Sequence, residues 1–555
     1  MMFDSSANLH VPVAEPLVVE NPDQYHWNQD VDVCVVGLGA AGGSAAIEAA
    51  SCGASVLVLD RLNGGGASRM SGGVVYLGGG THTQREVDVE DSPDNMFEYL
   101  RVQVGGVVSD ATLRRFCENS AANHEWLESL GVRFLSRFYR EKSSFPGGPW
   151  GLYFSGNEAY APYNALAKAA PRGHICQGSG FFGGPALMGP LMQTLQQRHA
   201  ERVQMLRFAE AFQLIVDAKN HVIGLRYRLG PQSGPIHGLR ALIHRCANSV
   251  GVGMPRVGMA IRKLAGFFTG ADREQAVRVR KGVVLSAGGF VFNKPMLQQA
   301  TGGKVYSSHA LGEDCNGSGI RLGISHGGST GRMDRLTYWR FYAPPHAWLK
   351  SVLVNPDGGR LCSEALYGAT VADVMIEKSG GKGWLIVDGP LMKQAYASLR
   401  GDMPLVQKAM TMMYLLRCTR KAATLAGLAQ KIGIPAPALE QTLRNYNQRI
   451  TDQQPDEFAK PDHYRQPLGS GPFYAVDVSV GAKGFPCPTL TLGGLRVNEN
   501  TGGVLDAEGR EIAGLYAAGR NAVGLCSHTY ISGLSLADCI FSGRRAGRHA
   551  AQGSA

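Results

Sequence analysis

The chain has 555 residues, 44% of them hydrophobic and 18% charged, and a formal net charge of +10. That length exceeds one ordinary core, so two domains are expected, and the composition excludes a disordered or low-complexity chain. The positive charge gathers on Arg240, Arg245, Arg256, Arg262, Lys263, Arg273, Arg278 and Arg280, against Asp272 and Glu274, without a nucleic-acid motif, so no nucleic-acid partner is expected. Eleven cysteines are scattered without a C-x-x-C pair, an odd number that argues against a complete disulfide framework. Met1 to Asn8 lacks the pattern of a secretory leader, and no stretch has the apolar length of a membrane span. A cytoplasmic setting is expected, and no metal site.

Val31 to Val36 is an apolar, β-branched run that reads as a buried parallel strand. Gly37-Leu-Gly-Ala-Ala-Gly42 follows at once, then a helical stretch from Gly43, then a second strand, Ala54 to Leu59, closed by Asp60. A Gly-x-Gly-x-x-Gly between strand and helix, with an acid about 20 residues on, is the full dinucleotide-binding context. Gly37 permits the tight turn, Gly39 lets backbone approach a pyrophosphate, Gly42 allows close packing of the helix, and Asp60 is placed for ribose hydroxyls.

The next stretch, Leu62 to Thr81, holds Gly64, Gly65, Gly66, Gly72 and Gly73 beside Ser68 and Ser71. It reads either as a flexible loop or as a backbone cradle against a flat ring, where side chains would clash. Residues 92 to 131 have helical spacing with an apolar face, and His174 in Pro171-Arg-Gly-His reads as structural. Residues 186 to 200 form a further helix, and Ala209 to Phe212 lies where an adenine would pass. Residues 231 to 280 interrupt a hairpin whose return strand is Ala276 to Arg280. Between them, Ile236 to Phe268 mixes Arg with Leu, Ile, Val and Phe, which suits either an anionic membrane surface or a solvated surface insertion. Gly282 to Phe290 is a strand running into paired glycines, and a helix starts after Asn316-Gly317.

From about Met333 glycines thin out and Tyr338, Trp339, Phe341, Tyr342 and Trp348 appear, followed by long helical patterns from Met392 to Ile450. Residues 333–490 are therefore expected to form an inserted capping domain. Residues 25–332 and 491–555 form the cofactor domain, with a basic insertion at about 231–275. Near the C-terminus, Leu515 to Ala518 reads as a strand, followed by a glycine-punctuated loop carrying Tyr530 and Ser532 and by a helix opening near Leu534. A helix start of this kind presents backbone N–H groups and a positive end to a ligand.

Gly37 to Gly42 with Asp60, the Gly64 to Gly73 cradle, Leu285-Ser-Ala-Gly-Gly289, Leu492-Gly-Gly-Leu495 and Gly514-Leu-Tyr-Ala-Ala-Gly-Arg520 together resemble the fumarate reductase/3-ketosteroid dehydrogenase group of FAD flavoproteins. Within the group the likeness is to bacterial 3-ketosteroid Δ4-(5α)-dehydrogenases, through Gly72 to Thr81, Pro171-Arg-Gly-His174 and Tyr530-x-Ser-Gly-x-Ser535. The resemblance implies an α/β fold, a discontinuous Rossmann-type FAD-binding domain with an inserted α+β capping domain. It also implies non-covalent FAD held by Gly37, Gly39, Ala40, Ala41, Gly42, Asp60, Arg61, Ala67, Ser68, Ser71, Gly72, Gly73, Ala211, Ala287, Gly288, Asn293, Asn316, Gly317, Gly519, Arg520, Ser535 and Leu536.

Where fumarate reductases of the group carry a catalytic arginine, this chain has Tyr367. A phenol cannot fork onto a carboxylate as a guanidinium does, but it can take a proton from carbon beside a ketone. The implied reaction is introduction of a C4–C5 double bond into a 3-ketosteroid, with Tyr530 polarising the C3 carbonyl, Tyr367 accepting the C4 proton with help from Ser532, and hydride leaving C5 for flavin N5. A Δ1-dehydrogenase and a fumarate-reductase-like alkene reductase are the alternatives. Tyr367 is expected to need a depressed pKa or a relay, with Ser532 and Glu364 as candidates. The electron acceptor stays open, with a quinone as one candidate, as does peripheral membrane contact through residues 236–268.

Overall fold

A computed structural model describes residues 13–179, 182–251, 255–266, 272–307, 309–312, 314–401 and 405–553. Its main sheet is built on Gln29–Val36 and Val56–Asp60, which pair in parallel, Val33 opposite Val56. Val203–Arg207 extends the sheet on one side and Arg273–Leu285 on the other, both in parallel, and Glu511–Ala517 joins Arg273–Leu285. The period of two sends Val33, Val35, Val56 and Val58 to one face and Cys34, Val36, Leu57 and Leu59 to the other. Because both faces must be covered, these strands read as nearly continuous apolar runs. Helices Ala40–Ser51 and Leu534–Gln552 cover the first face, and Glu48 ties them together by pairing with Arg544 and Arg548. The core on the other face continues without a break into residues 336–487.

Those residues contain a second, antiparallel sheet in the order Val352–Val354, Trp384–Val387, Phe473–Asp477, Thr419–Ala422. A small sheet in which Pro488–Thr491 lies between His309–Ala310 and Leu336–Tyr338 joins the two parts. A further sheet, Val74–Tyr76, Gly173–Ile175, Leu152–Tyr153 and Phe138–Tyr139, belongs to the N-terminal half.

The return strand of the interrupted hairpin differs from the expectation. It is one strand of 13 residues, Arg273–Leu285. Its first half pairs antiparallel with Val222–Leu229, and its second half pairs with Gln29–Val36 and Glu511–Ala517, across a register shift between Val279 and Gly282. The insertion is two helices, Gly234–Gly251 and Pro255–Gly266. Part of the expected 236–268 surface, residues 252–254 and 267–268, lies outside the described residues. Arg240 and Arg262 do not face outward: Arg240 stacks on Phe208, 4.5 Å from the ring centre, and pairs with Asp272 at 3.1 Å, while Arg262 bonds Asn248 at 2.7 Å. Guanidinium stems pack well on apolar surface, and here they anchor the hairpin.

Candidate active site

At the ends of the parallel strands lies an open cleft beside the Gly37 to Gly42 turn. Gly37, Gly39, Ala40, Ala41, Asp60, Arg61, Ala67, Ser68, Ala211, Ala287, Gly288, Asn316 and Arg520 all line it. The turn after the first strand is shaped by close approach. Gly37 has φ +103°, and a Cβ on Gly42 would sit 1.9 Å from the Gly37 carbonyl oxygen. The Asp60 carboxylate accepts backbone N–H groups from Leu38 at 2.8 Å, Leu62 at 2.8 Å and Gly64 at 3.2 Å. Its role in the structure is thus to hold the loop, and its remaining lone pairs are what it offers a ribose. Ser68 Oγ accepts from Ala40 N at 3.0 Å and the Ala41 N–H faces the Cys539 thiol, which leaves the N–H groups of Gly39 and Gly42 without an acceptor among the described residues. These donors at a helix N-terminus suit a pyrophosphate.

Other expected cofactor residues support the cleft without lining it. Ser71 bonds Ser68 O and Gly73 N, and Asn293 donates to Asn316 O while capping the helix Lys294–Thr301, so its amide is committed to shaping the wall. Gly317 precedes the helix Ser318–Ser325, and Gly519 packs on Ala41 and Cys539. Gly72 and Gly73 lead into the strand Val74–Tyr76, and Ser535 and Leu536 stand in the first turn of the C-terminal helix. Sequence reading missed Glu210 and Asp314, which line the cleft and hold Arg61 at 3.7 and 2.9 Å. Glu210 is a single acid in an apolar strand and Asp314 is one of two adjacent acids in a glycine-rich loop, signals too weak to single out.

The residues fit FAD. Arg520 faces the cleft with its Nη1 buried and unpaired, and the cradle's backbone donors stand beside it, a complement for an anionic dinucleotide.

The second part of the site is assembled from distant segments. Tyr367 caps the N-terminus of helix Gly368–Ser379, and its N–H donates to Asn157 Oδ1 at 2.6 Å. The Asn157 amide donates in turn to Thr370 Oγ1 at 2.8 Å. Tyr530 and Ser532 lie on the loop before the C-terminal helix, and Tyr530 packs against Trp339, 4.6 Å between ring centres. Trp339 and Phe341 face this corner, whereas Tyr338 and Tyr342 alternate away: Tyr338 oxygen accepts from Tyr306 N, and Tyr342 donates to Glu364 O. Arg340 fixes the alternation by donating to the carbonyls of Phe485, Ser479 and Val480.

The hydroxyl of Tyr367, a residue 2% exposed, closes no well-formed hydrogen bond among the described residues. Burial pushes its pKa well above the usual 10, the Tyr530 and Tyr153 phenols add to the push, and Ser532, which faces it, pulls the other way. This corrects the expectation of a depressed pKa in the ligand-free protein: desolvation disfavours the phenolate. Glu364 is withdrawn as a relay. Its carboxylate is buried against Arg360 and Lys460, both at 2.9 Å, and accepts from Leu353 N. Sequence reading missed Tyr153, whose hydroxyl lies 3.2 Å from Ser532 Oγ. It also missed Lys142, whose buried amine is 5.8 Å from the centre of the Tyr367 ring. His174 is structural, bonded to Thr81, Thr83 and Arg172 O.

Residues 32–533 match the family model described as FAD binding domain. The chain is 35% identical over 526 residues to the 3-oxo-5-alpha-steroid 4-dehydrogenase of Comamonas testosteroni, covering 92% of this chain and 96% of that one. It is 27% identical to the 3-oxosteroid 1-dehydrogenase of Mycobacterium tuberculosis, over 91% of this chain and 95% of that one. Among solved structures, the 3-ketosteroid-delta4-(5alpha)-dehydrogenase of Rhodococcus jostii RHA1 in complex with 4-androstene-3,17-dione superposes with a TM-score of 0.80 at 30% identity, covering 97% of this chain and all of that one. With its glycine-lined cleft and the match along nearly its whole length, the chain belongs to the FAD-binding family of flavoprotein oxidoreductases.

Proposed function

We propose that the protein is an FAD-dependent 3-oxo-5α-steroid 4-dehydrogenase that introduces the C4–C5 double bond. The observation that carries this reading is the Tyr367 hydroxyl, buried and unpaired, facing Ser532 and Tyr530 in an aromatic corner with Trp339 and Phe341. Such a corner suits a rigid apolar substrate with one ketone, and no guanidinium stands at position 367 to fork onto a dicarboxylate. The steroid 4-dehydrogenases of Comamonas testosteroni and Rhodococcus jostii, to which the chain is 35% and 30% identical, support the same substrate class. In the proposed division of labour, residues 25–332 and 491–555 hold FAD, and residues 333–490 bring Tyr367 and Trp339 over it.

Bound FAD supplies the acceptor for the hydride that leaves C5. Tyr530 donates to the C3 carbonyl oxygen and stabilises the enolate charge that develops there. Tyr367 oxygen takes the C4 proton as its own proton passes to Ser532 and onward, through the bonded Tyr153 hydroxyl, to bulk water, so that the steroid's proton is released to solvent as its hydride goes to the flavin. Concerted transfer along these hydroxyls removes the need for a standing phenolate, which burial opposes. Anaerobic mixing of the flavin-loaded protein with a steroid panel tests the reading. Flavin bleaching by 5α-reduced 3-ketosteroids with formation of the 4-ene is expected, while no response to any 3-ketosteroid, with rapid oxidation of the reduced protein by fumarate-like acids, overturns it.

The electron acceptor is proposed to be a quinone, reached at a membrane surface. No helix among the described residues is long and apolar enough to cross a membrane, but the inserted hairpin exposes Ile236, Leu239, Leu242, Val257 and Leu264 beside Arg245 and Lys263. Flotation with anionic vesicles, lost on deleting the hairpin, is the expected result. Equal flotation of both proteins would refute membrane contact through this segment.

A further inference from the structure

We infer that His82, His124 and Glu128 form a binding site for a divalent transition-metal ion of the zinc class, against the expectation of no metal. The three residues lie apart from the cofactor cleft. His82 opens the short helix His82–Arg85, while His124 and Glu128, four residues apart on helix Ser120–Ser129, project from one face. One ligand atom from each lies within 4.8 Å of the others. His82 Nε2 is 2.8 Å and His124 Nδ1 3.3 Å from Glu128 Oε2. Ligand atoms on a tetrahedral zinc ion stand roughly 3.3–3.5 Å apart, so small side-chain rotations admit the ion.

A second observation points to a ligand. The His124 side chain is fully buried, yet its Nδ1 closes no hydrogen bond, although it is directed toward the other two residues. Buried polar atoms in native proteins are paired, and an orphan needs an explanation such as an ion. The ring is held in place by stacking on Phe134, 4.5 Å between centres, and by Thr83 Oγ1, 3.4 Å from its other nitrogen. The second nitrogen of His82 is 3.1 Å from Glu86 Oε1, the carboxylate partner that commonly orients a metal-ligating imidazole.

Two imidazoles and one carboxylate favour zinc, nickel or copper over calcium or magnesium. Three protein ligands leave one position for water, on the side where His82 and Glu128 are partly exposed. The ion would clamp the helix Ser120–Ser129 to the turn whose capping box, Thr81 with Gln84, supports the Gly78 to Gly80 loop.

The test is titration of the EDTA-treated, flavin-loaded, full-length protein with zinc chloride at pH 8. One site per chain is expected, with a Tm that climbs with zinc concentration and no comparable response to calcium chloride. His82→Ala and Glu128→Gln, both on partly exposed side chains, are each expected to weaken zinc binding by about 100-fold, the upper end of what loss of a metal-orienting partner costs, while the flavin spectrum reports an intact fold. These two variants carry the test because His124 is buried in the core. No saturable zinc binding by the parent protein, undiminished binding by both variants, or calcium binding as tight as zinc would overturn the assignment.

Discussion

In the cofactor cleft Asp60 takes three backbone N–H groups, Ser68 caps Ala40, and Arg61 reaches across to Asp314. In the corner between Tyr367 and Tyr530, by contrast, the Tyr367 hydroxyl and the Trp339 indole N–H have no partners among the described residues. The cleft is a fixed mould whose side chains mostly satisfy its own backbone, leaving a few N–H groups and Arg520 for an anionic dinucleotide. The corner holds polar groups at a cost of about 1–3 kcal/mol each, a penalty that, in the proposed mechanism, a correctly placed ketone and a proton in transit would relieve. A cofactor that stays bound favours the first arrangement. A substrate that must leave after each turnover favours the second.

Tyr367→Phe strikes at this difference most directly. Turnover of 5α-reduced 3-ketosteroids is expected to fall about 100- to 10,000-fold while the flavin spectrum and FAD content are unchanged. Glu364→Gln asks what happens when a paired group near the corner is turned into an unpaired one. It leaves Arg360 and Lys460 buried without their shared acid, so denaturant unfolding is expected to show a loss of about 3–5 kcal/mol. Its pH dependence is also specified. The charges of Arg360 and Lys460 hold the Glu364 carboxyl down to about 2 against the push of burial. Its contribution to stability is therefore whole above the usual 4.5 and is lost as pH falls toward about 2, a dependence that melting curves of the Gln variant will lack.

In the cleft, Gly42→Ala forces a methyl into the Gly37 carbonyl and is expected to cost about 1–3 kcal/mol and to yield protein depleted in FAD, readable from the ratio of flavin to protein absorbance. The smallest effect belongs to Tyr153→Phe. A relay running through Tyr153 to solvent predicts a fall of about tenfold in kcat with KM little changed and an altered pH profile, the low side of general acid–base contributions. A tyrosine that merely packs would leave the pH profile as it was.

The dinucleotide half was largely legible because its chemistry is local: strand, Gly37 to Gly42, helix and Asp60 follow one another within 30 residues, and each residue type has one conformational reason to be there. What Asp60 does was less legible, since a carboxylate that binds ribose and one that binds its own loop occupy the same position in the chain. Tyr367, Tyr530 and Ser532 were reachable through family resemblance alone, and the structure brings them together. Tyr153 was hidden because it arrives on a two-residue strand, Leu152–Tyr153, whose pairing with Gly173–Ile175 no local pattern announces. The raised pKa of Tyr367 was equally invisible, because desolvation depends on everything packed around a group and not on its neighbours in sequence. In the inserted hairpin, the inward turn of Arg240 and Arg262 was not legible, because it depends on Phe208, Asp272 and Asn248.

Asn157 stands in the N-terminal half and grips the second half twice, through the Tyr367 N–H and the Thr370 hydroxyl, while its own N–H is held by the Tyr99 oxygen. One amide therefore ties the loop around residue 157 to the start of helix Gly368–Ser379 and supports the residue proposed to move the proton. In the proposed mechanism, a change that frees the Asn157 amide would therefore loosen Tyr367 and the start of helix Gly368–Ser379 together.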